Sequence, residues 1–221
     1  MGNINYNNFI CENYYCQSVS FKPEWLSEST WNITYNYLEE EKIKKPYLID
    51  KGILKISNVN KFELLFSKKL LIDFNQIRNI SIPINFKYYL TNNNSIDIFF
   101  IFSNNQFELN NLNSLNTNDN NLFFIKLNFI ANKINIFRSF NEKIFTKKIK
   151  FKKINTFIIS LENNFKILLV NEKLYNNKFK ILYDEKHLNN NFDNYDDFYL
   201  NLYIRSKNGF LKKDFIELNF E

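Results

Sequence analysis

Residues 95–103 read Ser-Ile-Asp-Ile-Phe-Phe-Ile-Phe-Ser, and residues 122–130 read Leu-Phe-Phe-Ile-Lys-Leu-Asn-Phe-Ile. In the second stretch Phe123, Ile125, Leu127 and Phe129 are apolar, while Lys126 and Asn128 fall on the alternate positions. A period of two sends those sets to opposite faces of an extended chain, so the stretch predicts a strand with one face buried. The first stretch is apolar at nearly every position from Ile96 to Phe102. A central strand covered on both faces has that composition.

The same signal spreads outward from these two strands. From Gly52 onward, short apolar runs rich in Ile and Phe alternate with Asn-dense breaks, at 92–94, 110–121, 163–164, 176–177 and 189–191. Asn tolerates the left-handed backbone of tight turns and can stand in for glycine, of which the chain has only 3. Further strands are predicted at 53–57, 62–66, 80–89, 133–139, 143–151, 156–161, 165–170, 179–183, 198–206 and 215–220. A dozen strands without a convincing helix predict an all-β sandwich or barrel. The first fifty residues differ, holding Trp25, Trp31, Pro23, Pro46 and the acidic run Glu39, Glu40, Glu41. They read as an irregular N-terminal arm, residues 1–50, packing on a sandwich domain of residues 51–221.

Composition narrows the function classes. With 221 residues, 45% hydrophobic and 18% aromatic, the chain can bury a core, which excludes global disorder despite its many Asn residues. The scarcity of Gly, Pro and Cys excludes collagen and a disulfide scaffold. Ala131 is the only alanine, and Arg stands only at 78, 138 and 205. That preference for Asn, Lys, Ile, Phe and Tyr follows AT-rich codons. A net charge of +6 would permit nucleic-acid binding. The lysines are scattered, however, and the densest group, Lys147, Lys148, Lys150, Lys152 and Lys153, is offset by acidic stretches elsewhere, so no nucleic-acid partner is expected. No signal peptide and no long apolar span occurs, which predicts a soluble chain without membrane insertion, cytoplasmic or virion-associated. Gly2 lacks the Ser or Thr at position six that myristoylation wants, since Tyr6 stands there. Cys11 and Cys16 have neither redox nor zinc spacing.

The order of the strands resembles the concanavalin A-like lectin/glucanase superfamily, a jelly-roll sandwich of two antiparallel sheets. The resemblance is carried by Asn94 to Phe102, by Leu122 to Phe129, by the hairpin from Thr156 to Val170, and by the closing strands from Tyr199 to Phe210 and Phe215 to Phe220. It implies carbohydrate recognition, with departures. Metal-dependent lectins of this fold carry a Glu-x-Asp pair where this chain reads Lys126 and Asn128, so no metal and no cofactor is expected. Glucanases of the fold need a strand with three catalytic carboxylates, and none is present, which argues against an enzyme. The Asp-Gly turn that orients a sugar is replaced by Asn94-Ser95, with Asp97 already inside the strand.

Trp25, Trp31, Asn94 and Asp97 are therefore the candidate ligand-binding residues: aromatic rings to stack on the apolar faces of a sugar, an amide and a carboxylate to bond its hydroxyls. Such aromatics, here Trp25 and Trp31 with Tyr35 and Tyr37, more often anchor an arm onto a sheet, which is the stronger expectation for them. His187, the only histidine, reads as a loop residue rather than a catalytic base. Asp193, Asp196 and Asp197 lack the glycine and closing Glu of a calcium loop. The sequons at Asn32, Asn79 and Asn93 are expected by chance in so Asn-rich a chain. Two functions remain in play: a metal-independent carbohydrate-binding module, and a structural subunit of a viral particle or organellar complex that docks a protein partner.

Overall fold

The computed structural model describes residues 26–37, 45–57, 59, 61–70, 80–91, 96–103, 106–109, 123–128, 133–137, 143–149, 154–161, 165–170, 179–185 and 198–220. They form two seven-stranded antiparallel sheets packed face to face. The first sheet contains β1 (Asn32–Tyr37), β4 (Phe62–Leu70), β13 (Phe198–Ser206), β6 (Ile96–Ser103), β7 (Phe123–Asn128), β8 (Lys133–Phe137) and β9 (Lys143–Lys148), in that spatial order. The second runs β12 (Phe179–Glu185), β11 (Phe165–Val170), β10 (Ile154–Leu161), β5 (Ile80–Tyr89), β14 (Phe215–Asn219), β3 (Ile53–Ser57) and β2 (Leu48–Asp50). All twelve predicted strands are found, with ends that shift by a few residues.

Alternation builds the core. Phe62, Leu64 and Phe66 of β4, Ile98 and Phe100 of β6, and Leu200, Leu202 and Ile204 of β13 are buried on the inner face of the first sheet. Leu54, Ile56, Ile82, Ile84, Phe86, Ile216 and Leu218 meet them from the second. Phe86 and Phe100 cross between the sheets edge to face, with centroids 6.0 Å apart. Each such side chain contributes roughly 1.5–3 kcal/mol on burial. Pro83 lies inside β5, yet β14 pairs β5 only from Asn85 to Tyr89, so among the described residues the proline has a strand neighbour on one side.

The segment expected to be irregular departs from that expectation at two places. Asn32–Tyr37 is an edge strand paired residue for residue with β4, and Leu48–Asp50 pairs β3. Asp50 and Ile53 are partners across Lys51 (φ 49°) and Gly52 (φ 75°), a two-residue hairpin turn with both central residues left-handed. The expected boundary at residue 50 thus falls inside a hairpin. Trp31 is a core residue, 4% exposed, stacked on Phe220 at 5.7 Å and edge-on to Phe66 at 6.3 Å. The indole thus packs on the sandwich, the anchoring role also expected of it.

The loop before β14 is held by one buried carboxylate. Asp214 accepts the backbone N–H of Leu211 at 2.7 Å and, from the far end of β5, the N–H of Thr91 at 2.8 Å. Among the described residues no helix is long and apolar enough to cross a membrane.

Candidate functional site

The outer face of the first sheet carries the residues that alternate with the core, and register assembles them into rows. Glu63, Arg205, Asp97 and Asn128 are successive partners across β4, β13, β6 and β7. The neighbouring row is Leu65, Tyr203, Phe99 and Lys126, and the next is Ser67, Asn201, Ile101 and Phe124.

Electrostatics organises the first two rows into linked pairs. Asp97 is contacted by the Lys126 ammonium at 2.8 Å and accepts a hydrogen bond from Asn128 Nδ2 at 2.9 Å. The same ammonium lies 5.1 Å from the centre of the Phe99 ring, whose face is electron-rich. Phe99 lies 5.3 Å from the Tyr203 ring. The Tyr203 hydroxyl donates to Glu63 at 2.8 Å, and Arg205 Nε lies 3.3 Å from the same carboxylate oxygen. Glu63 is 4% exposed, and a buried carboxylate is tolerable only with such partners. Burial, followed by the hydrogen bond to Glu63 and that group's charge, pushes the Tyr203 hydroxyl well above its ordinary pKa.

The third row anchors a covering segment. Asn201, fully buried, receives Ser67 Oγ at 2.6 Å, donates to Ser103 Oγ at 3.0 Å, and accepts the backbone N–H of Phe107 at 3.4 Å. Leu109 then closes over Leu65, Ile101 and Tyr203 as a second apolar cluster, against which Phe99, Phe107 and Phe137 pack. Between residues 106–109 and the edge strand β1 lies a cleft of about 440 Å³. Its walls present Asn32, Thr34, Asn36 and Gln106 beside Phe107 and Glu108. Amides and hydroxyls next to a ring suit a polyhydroxylated ligand.

Of the four residues singled out from sequence, the structure places Asp97 on this face and Trp31 in the core. Trp25 and Asn94 lie outside the described residues, as do Cys11, Cys16, His187, Asp193, Asp196 and Asp197. Tyr35 and Tyr37 point to the inner side of β1, where Tyr35 meets Tyr47 at 6.1 Å. Glu63, Tyr203, Arg205 and Asn201 were not foreseen; the available signal was polar residues at outward positions of otherwise apolar strands. Among the described residues, no group of three or more His, Cys, Asp or Glu is placed to hold a metal ion.

No family model matches the sequence, and no curated protein does. Solved structures do resemble the fold. Winged bean acidic lectin, complexed with methyl-α-D-galactose, superposes with a TM-score of 0.50 over 86% of this chain and 95% of its own, at 11% identity. The potassium-bound carbohydrate recognition domain of Emp46p gives 0.55 over 86% and 88%, at 9% identity. A glycoside hydrolase family 16 endo-glucanase from Bacteroides ovatus gives 0.51 over 89% and 96%, also at 9% identity. Two packed antiparallel sheets, superposing on lectins and a glucanase alike, give the chain the concanavalin A-like jelly-roll fold.

Proposed function

We propose that this protein is a carbohydrate-recognition module that works without a metal ion and without catalysis. The observation that carries the reading is the cleft on the outer face of the first sheet, where Asn32, Thr34, Asn36 and Gln106 stand beside Phe107. Asp97, farther along the same face on β6, offers the acceptor capacity its carboxylate keeps after bonding Lys126 and Asn128. Lys126 supports metal independence, since its ammonium holds positive charge against Asp97 where a bound cation would otherwise do so. Absence of catalysis is supported by the commitments of the two carboxylates in the central rows. Glu63 is buried against Tyr203 and Arg205, and Asp97 is ion-paired, so neither is set opposite the other across an open bond-cleaving site.

A glycan array probed with the full chain, in calcium and in chelator, tests this. Binding should survive chelation and fall about tenfold in Asn36→Ala/Gln106→Ala, the loss of one to two hydrogen bonds. Binding abolished by chelator, or release of reducing ends from a bound glucan, would overturn the reading, as would an array with no bound glycan.

A further inference from the structure

The far side of the same face, on β8 and β9, carries lysines without an acidic partner among the described residues. Lys133 of β8 is the direct partner of Lys148 of β9, and both alternate outward. Like charges directly opposite each other on an antiparallel pair destabilise it. Lys143 opposes Phe137 on the same face, and Lys126 lies one strand away, already satisfied by Asp97. β7, β8 and β9 contain no Asp or Glu. Among the described residues, Lys133, Lys143 and Lys148 have no acidic partner, and Lys143 and Lys148 are exposed. Between them Asn135 accepts the Thr146 hydroxyl at 2.9 Å, which commits its oxygen and leaves its NH2 group to donate.

A repulsive pair retained at the end of the β8–β9 ladder, on a face with aromatic rings and amide donors, is a local conflict of the kind that marks a functional surface. Adjacent strands lie about 4.8 Å apart, so a chain crossing from β8 to β9 would meet Lys133 and then Lys148, a spacing comparable to the length of one pyranose unit. We propose that β8 and β9 form a subsite for an anionic polysaccharide, with Lys133, Lys143 and Lys148 pairing its carboxylate or sulfate groups and Asn135 its hydroxyls. This rests on the carbohydrate-recognition reading and adds the class of sugar. The polyanion neutralises the Lys133–Lys148 repulsion, so binding relieves a cost that the free protein bears.

The test measures affinity of the full chain for dextran, dextran sulfate and polygalacturonate, and for single-stranded DNA of matched charge, across a salt series. Dextran sulfate or polygalacturonate should bind, weaken as salt rises, and bind about tenfold less to Lys133→Gln/Lys148→Gln. That variant should melt no lower than the parent, because a like-charge pair has been removed, so lost binding would not reflect lost folding. Neutral dextran, or neutral glycans on the array, bound as well as the charged polymers would leave sugar recognition standing and overturn the anionic subsite. DNA bound as tightly as dextran sulfate would overturn it in favour of an unselective polyanion surface. No binding of any glycan would overturn both readings together.

Discussion

Glu63 shows how a single residue sets the terms for its neighbours. A carboxylate at 4% exposure must be paired, and the structure supplies Tyr203 and Arg205 from the adjacent strand. Tyr203→Phe removes one charge-assisted hydrogen bond without removing the ring that packs on Phe99, and should cost about 2 kcal/mol at pH 7. The pH dependence has a definite sign. The Tyr203 hydroxyl is raised above its ordinary value of 10.0, so the folded chain holds this proton more tightly than the unfolded chain. Its contribution is complete below that ordinary value and is lost as pH rises through the higher folded one. Urea melts of the two proteins from pH 7 to about 11 should therefore show a gap that is constant below pH 10 and narrows above it. A gap that stays constant across that range would mean Glu63 does not depend on the Tyr203 proton.

At the scale of elements, the β2–β3 hairpin carries a specific requirement. Both turn residues have positive φ, which glycine tolerates and a side chain with a Cβ resists by about 1–2 kcal/mol. Lys51→Asn places a left-handed-tolerant residue before Gly52 and should stabilise by several tenths of a kcal/mol, whereas Gly52→Val should destabilise by about 2 kcal/mol. Thermal melts decide this, and equal melting points would refute the turn assignment. The same hairpin shows why part of the fold was hidden. Strands such as Ile80–Tyr89 and Phe198–Ser206 announce themselves because their apolar positions repeat over many residues. Leu48–Asp50 is too short to display any period, and Asn32–Tyr37 alternates Ile and Tyr with Asn and Thr, a contrast weaker than that of the core strands. The site was hidden for another reason. Asp97 was legible as a carboxylate inside an apolar run, but Glu63, Arg205 and Asp97 become one row only through pairings between strands far apart in sequence. No local pattern encodes that register.

Over the whole molecule, the two sheets share a dependence on the C-terminal strands. β13 stands between β4 and β6 in the first sheet, and β14 stands between β5 and β3 in the second. The turn joining them is fixed by Phe210 N–H bonding Val59 at 2.7 Å and by the Asp214 carboxylate. The first sheet is not continuous until β13 is in place, nor the second until β14 is. Their partners are distant in sequence, so the closing steps are long-range and folding should take milliseconds to seconds rather than microseconds. A chain ending at residue 197 loses Leu200, Leu202, Ile204, Ile216, Leu218 and Phe220 from the core. At roughly 1.5–3 kcal/mol each, their combined burial is comparable to the 5–15 kcal/mol that holds a typical domain folded. The shortened chain should show no cooperative melt, and a synthetic peptide of residues 198–221 should restore one. A cooperative transition without the peptide would mean that β4 and β6, or β5 and β3, can close on each other directly, and the two central strands would then be additions to a sandwich already complete.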